Sequence, residues 1–318
     1  MNDNIKQVLT RYDQLAALIL EQKVDEFADK MGQKPPDEDD VTYEQYLQHV
    51  AMEETEAQSR EMEKEPSDLL GGMSMNDYFK TLTFDELTEI LMFCAMELDR
   101  GVPDSVINAL AGTDDQEKVR EYAATMIGNA AWVDEELKDE NVLFEMEFQK
   151  LRACFKVLIA AGDGSLVKAV IDRFMSYPRT TEFVADSIAE YVEAFPEESV
   201  PYITAKIEEN KEAGLEGPCE DLLIMITNIG KKEKSDDIYS VLRQAFRYMT
   251  NKIYAVICLA DYGDEKAVPM LKTYINRHQK TISRDLFYEM MSAIQNLGGD
   301  IADISDPFGD FQKKMNKK

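Results

Sequence analysis

The chain of 318 residues is 44% hydrophobic, holds 15 glycines and 10 prolines, and carries a formal net charge of −27. That apolar share supplies a continuous core and excludes a low-complexity chain. The charge excludes a phosphate-gripping surface unless a basic stripe is set apart from the rest.

The longest apolar runs, Leu91 to Met96 and Val157 to Ala161, fall far short of the ~18 residues of a membrane span. Met1 to Lys6 lacks the basic and long apolar regions of a secretory leader, so a cytoplasmic location is expected. Cys94, Cys154, Cys219 and Cys258 lie far apart, each in a helical apolar pattern, and read as reduced, buried thiols. The charge is unevenly spread. Residues 225–318 hold 15 Lys+Arg against 12 Asp+Glu, and residues 1–224 hold 20 against 50.

In chain order, Ile5, Val8, Leu9, Tyr12, Leu15, Ala16 and Ile19 predict a long amphipathic helix from Asp3 to Met31. Gly32 ends it, and Pro35 to Asp40 reads as a linker. Thr42 and Gln45 form a capping box for a second helix to about Lys64, whose glutamate-rich later half is expected to fray into a charged tether. Pro66 to Ser74 reads as a boundary. Ser74 with Asp77, and Thr83 with Glu86, cap the helices that follow, the second presenting Leu87, Ile90, Leu91 and Cys94. Helices are then predicted over Pro103 to Leu110, Asp115 to Ala131 and Glu135 to Ala161, the last preceded by Trp132, read as a core residue. Residues 301–318 form a tail that either lies over the final repeat through Phe308 and Phe311 or is disordered.

From residue 162 onward one small signal recurs. An apolar helix breaks at Gly162-Asp163, Phe195-Pro196, Gly230-Lys231, Gly263-Asp264 and Gly298 to Asp300, with spacings of 33, 35, 33 and 35. Such a period predicts helical hairpins that bury their faces only against their neighbours. Glycine permits a left-handed helix end, Asp163 and Asp264 offer caps, and Pro201 and Pro269 suit a first helical turn.

Gly263-Asp264, Ala267-Val268-Pro269 and Leu271 together resemble the core of HEAT-like repeats of the PBS-lyase type. Gly162-Asp163 with Val167, and Val200-Pro201 with Ile203 and Ile207, look like degenerate copies. The resemblance covers about residues 135 to 300. Together with the helical periodicity, charge distribution and boundary residues read above, it gives an all-α protein: an α-solenoid of HEAT-like hairpins (75–300) with an acidic helical N-terminal extension (1–65), a linker (66–74) and a tail (301–318). It also implies that the second helix of each hairpin lines a concave face. On that implication Arg173, Arg243, Arg247 and Arg277, with Tyr239 and Tyr274, are the candidate partner-binding residues. Arg243 and Arg247 stand one turn apart and suit a carboxylate-rich segment. Ordinary ion pairing with adjacent units, worth ~0–1 kcal/mol per pair, is the competing role.

The residues point to no catalytic set. His49 and His278 have no partner at metal spacing, and no phosphate loop, dinucleotide fingerprint or nucleophile elbow is present. Asp37 to Asp40 lacks the spacing and glycine of a calcium loop. The sequence therefore predicts a non-catalytic scaffold for a protein or peptide, without cofactor or metal, nucleic acid or membrane. Two alternatives stay open: a bilin-lyase-like enzyme, which the family resemblance implies, and a regulatory chain whose acidic front covers its own C-terminal repeats.

Overall fold

The computed structural model describes residues 1–31, 40–129, 141–177 and 180–309. Fifteen α-helices and a few short 3-10 turns make up its regular structure, and among the described residues there is no strand beyond an isolated bridge between Ser67 and Met73. The described residues up to Asp163 form one unit, and those from Gly164 form a second. This division falls within residues 75–300, and the first two helices belong to the same unit as the five after them.

In the first unit α1 (Asp3–Met31) lies along α2 (Asp40–Met62). Ile5, Val8, Leu9 and Ala16 are buried on α1, the faces its periodicity predicts. The later half of α2 is not a tether. Leu47, Ala51, Thr55, Ser59 and, just past the helix end, Glu63, at strict i+4 spacing, are all buried, so a buried ridge winds slowly around the helix and only its first members are apolar. Composition hid it, because small polar residues can line a buried face when their hydrogen bonds are met. The Thr55 hydroxyl donates to the Ala51 carbonyl at 2.7 Å. Glu63 accepts from the Tyr12 hydroxyl at 2.9 Å and from the backbone N–H groups of Asp104 and Ser105 at 3.2 and 2.5 Å.

Beyond Pro66 to Ser74 come α3 (Met75–Phe79), α4 (Phe84–Glu97), α5 (Asp104–Ala111), α6 (Gln116–Asn129) and α7 (Asn141–Ala161), with α7 packed against α4, α5 and α6. Ser74 caps α3 by accepting from the Asp77 N–H, and Thr83 with Glu86 forms a full capping box on α4, as the spacing predicts. Leu87, Ile90, Leu91 and Cys94 face the core.

The second unit is built in two rows. α9 (Glu182–Ala194), α11 (Pro218–Lys232), α13 (Lys252–Tyr262) and α15 (Arg284–Asn296) pack each on the next-but-one helix of the chain. α8 (Val167–Met175), α10 (Pro196–Asn210) and α12 (Asp236–Tyr248) do the same in the other row, and α14 (Val268–His278) packs on α15. Lysines tie the neighbours together: Lys206 to Asp172 at 2.8 Å, Lys231 to Asp261 at 2.9 Å, Lys266 to Asp236 at 3.0 Å and Lys272 to Asp303 at 2.7 Å.

The junctions agree with the sequence at some breaks and depart from it at others. Gly162, Gly263 and Gly298 end α7, α13 and α15 with positive φ of 68°, 72° and 77°. At Gly162 and Gly298 the following N–H reaches the carbonyl five residues back, Asp163 to Leu158 at 2.9 Å and Gly299 to Ile294 at 2.8 Å, which satisfies the last carbonyls of the helix. Asp264 caps the next turn through the Lys266 N–H at 2.9 Å. Asp163 is instead held by Arg120 of its own unit at 2.8 Å, and α8, with Leu166 at its N-cap, has no side-chain cap.

Gly230 does not end a helix. α11 continues to Lys232, and the residue is small because a Cβ there would meet the Tyr262 ring at 2.6 Å. Pro201 lies inside α10, since Pro196 already fills the first position where no N–H is needed. Pro269 is in the first turn of α14 as expected, with Leu271 and Ile275 fully buried behind it, each worth ~1.5–3 kcal/mol of transfer free energy.

The tail packs through Phe308, whose ring lies 5.7 Å from Phe287 and 6.1 Å from Tyr288. Phe311, Trp132, the Pro35 to Asp39 stretch and the Thr42 and Gln45 side chains lie outside the described residues.

Candidate functional site

α12 and α14 meet at the edge-on contact of Phe246 with Tyr274, ring centroids 5.2 Å apart, and a cavity of about 570 Å³ opens beside it. Its walls bring together Tyr239, Arg243 and Arg247 of α12 with Tyr274 and Arg277 of α14. Each is there for a local reason. α12 buries Ile238, Val241, Leu242, Ala245 and Phe246, which leaves the 243–247 edge on the exposed side of the helix. α14 buries Leu271 and Ile275, so Tyr274 and Arg277 sit on its flank. The sixth predicted residue, Arg173, is elsewhere: it belongs to α8, stacks over Tyr177 at 5.1 Å, and does not line this cavity.

The floor is aromatic. Tyr274 is sandwiched between Phe246 and His278, stacking on the imidazole at 4.0 Å. His278 Nδ1 is 2.8 Å from the Tyr274 carbonyl oxygen, which fixes the ring. Burial raises the Tyr274 phenol; burial and the nearby Asp264 raise that of Tyr239, against the pull of Arg243 and Lys266. Both therefore stay neutral hydroxyls at pH 7. Met270 and Pro269 extend the apolar wall.

The rim is cationic, and its members differ in what they are already doing. Lys266 is held by Asp236. Lys252 donates to the carbonyls of Phe246, Arg247 and Met249 at 2.9, 3.1 and 3.1 Å, closing the C-terminus of α12, and burial pulls its ammonium below the usual lysine range. Arg243, Arg247 and Arg277 have no ion pair with any described residue. Three guanidinium groups without carboxylate partners thus converge on one apolar-floored cavity, in a chain of net charge −27. Such groups bind carboxylate or phosphate in forked geometry.

Phe246, Met270 and His278 escaped the sequence reading as site residues. The signal for Phe246 is its place one turn from Arg243, on the border between the buried and exposed faces. Nothing local marks Met270 or His278, whose role depends on where α14 meets α12.

Among the described residues no group of three His, Cys, Asp or Glu has metal-site geometry. The four cysteines are buried, and burial pushes Cys154 up to about 12 and Cys219 and Cys258 to about 11, which leaves them protonated. No helix is long and apolar enough to cross a membrane among the described residues. No family model matches the chain, and neither a curated protein nor a solved structure does.

Proposed function

We propose that the protein is a non-catalytic, HEAT-like helical-repeat scaffold that holds an acidic segment of a partner protein or peptide in the α12–α14 groove. The observation that carries this reading is the set of three arginines, Arg243, Arg247 and Arg277, without carboxylate partners on one cavity. Lysines serve every ion pair between neighbouring helices of this unit named above, so the arginines are not part of the glue between repeats. The two-row packing of α8 to α15 supports the repeat reading, because each hairpin buries its face on the next. A preformed groove of this kind loses little entropy on binding, and guanidinium pairs set the register of the bound segment.

The test is fluorescence anisotropy with labelled acidic, neutral and basic peptides on the full chain. The acidic peptide binds, its affinity falls with added salt, and the Arg243→Glu/Arg247→Glu double variant weakens it more than about tenfold, the loss of roughly one charge-assisted contact. Equal binding by the double variant overturns the proposal, as does equal binding of all three peptides.

A further inference from the structure

The cavity holds more than cations, and what it holds constrains the ligand. Building on the acidic-segment reading, we infer that the bound segment carries an aromatic side chain, which seats between Phe246, Met270 and Tyr274 while flanking carboxylates meet Arg243, Arg247 and Arg277.

Three observations lead there. First, a carboxylate alone would leave the floor wet. Phe246 is 5% exposed and backs the Tyr274 ring, which is only partly covered by Phe246 and His278, so Tyr274 offers apolar ring surface to a cavity of about 570 Å³. That size lies within the range of sites for side-chain-sized or larger groups, and an aromatic ring is the group that gains most from such a surface. Second, the cations are placed around that floor and not on it. Arg243 and Arg247 are one helical turn apart on α12, and Arg277 stands on α14 across the gap. A segment whose ring enters the gap would find a guanidinium on either side, matching acid–aromatic–acid order.

Third, the same unit holds a related contact within its own chain. Ile301 to Gly309 is a stretch with two aspartates and one phenylalanine that meets α15 through Asp306 and Phe308. Phe308 packs against Phe287 and Tyr288 at 5.7 and 6.1 Å. Asp306, two residues before it, accepts from the Tyr288 hydroxyl at 3.3 Å, and the Arg284 guanidinium lies over the Tyr288 ring at 6.0 Å. A carboxylate beside a phenyl ring thus meets a tyrosine hydroxyl there, with an arginine stacked over that tyrosine's ring. The α12–α14 groove presents the same three residue types, with Tyr274, Phe246 and Arg243, and no segment of the described chain covers it in this way. Charge complementarity selects the occupant: the arginines favour an acidic partner and repel a basic one.

The experiment uses the full chain and two blocked, labelled peptides, Asp-Asp-Phe-Asp-Asp and Asp-Asp-Ala-Asp-Asp, with an oligothymidylate of equal charge as a third probe. The phenylalanine peptide binds at least about tenfold more tightly than the alanine peptide, as burial of one ring predicts. Met270→Gln, at the half-buried wall, lowers the phenylalanine peptide's affinity more than the alanine peptide's and so narrows that ratio, and circular dichroism confirms that the variant is folded. Equal affinities for the two peptides refute aromatic selection and leave the acidic-segment reading standing. Binding of neither peptide refutes both. Oligothymidylate binding as tight as the phenylalanine peptide refutes the inference in favour of a general polyanion site.

Discussion

The ring of Tyr262 occupies the space that a side chain at residue 230 would need. A Cβ on Gly230 would lie 2.6 Å from Tyr262 Cε2 and 3.0 Å from Ile238 Cγ2. The ring cannot swing aside, because its hydroxyl donates to the Ser235 carbonyl at 2.8 Å and accepts from the Ser235 N–H at 2.9 Å. α11 and α13 therefore approach as closely as they do because one of them lacks a side chain there.

Gly230→Ala is accordingly expected to destabilise the protein. Overpacking costs ~1–3 kcal/mol, against a helix-propensity gain of ~1 kcal/mol. The urea midpoint should fall, and Gly230→Ala combined with Tyr262→Leu should lose less than the sum of the two single changes. A higher midpoint for Gly230→Ala would mean that the two helices slide apart freely.

At the end of α2, Glu63→Ala leaves the Tyr12 hydroxyl and the Asp104 and Ser105 N–H groups without the acceptor they now share. Stranding buried donors costs ~1–3 kcal/mol each where water cannot enter, so a loss of about 2–4 kcal/mol is expected by denaturant titration. Loss of less than ~1 kcal/mol would show that water replaces the carboxylate.

Asp221 of α11 sets a pH dependence. Burial and the neighbouring Asp186 push its carboxyl up to about 6, above the ordinary value near ~3.9. The folded state thus holds this proton more firmly than the unfolded chain. The stabilisation is fully present below the ordinary aspartate range and is lost as pH rises through about 6. Asp221→Asn should therefore gain in melting temperature relative to the native protein between pH 4 and 7. A carboxyl titration by NMR with its midpoint at the ordinary aspartate value would contradict this.

The arginines of the groove predict an absence of effect. Arg243→Ala, Arg247→Ala and Arg277→Ala remove exposed side chains that have no ion pair with any described residue, so each should change stability by no more than ~0.5 kcal/mol. A loss above ~1 kcal/mol in any of them would show that the guanidinium is structural and would weaken its assignment to ligand binding.

How much of this was legible beforehand follows from the range over which each signal acts. Helix ends are local: Ser74, Thr83, Gly162, Gly263 and Asp264 act on backbone groups within a few residues, and the structure uses them as their spacing implies. Pro201 misled because a proline reports where a helix tolerates a missing N–H, not where that helix starts, and Pro196 had taken the first turn. The glutamate-rich half of α2 misled for the opposite reason. Its buried positions Thr55, Ser59 and Glu63 are polar, and Glu63 is held by hydrogen bonds from residues as far away as Tyr12 and Ser105.

By itself, then, the sequence determined the helical class, most helix boundaries and which residues are apolar enough to be covered, because those depend on backbone sterics, capping and periodicity within one or two turns. Only the tertiary structure decided that Gly230 is a contact and not a helix end, and that Arg243 and Arg247 share a cavity with Arg277 and an aromatic floor. Those outcomes depend on which helix faces meet across some 30 residues of chain, and packing, not local propensity, sets that geometry.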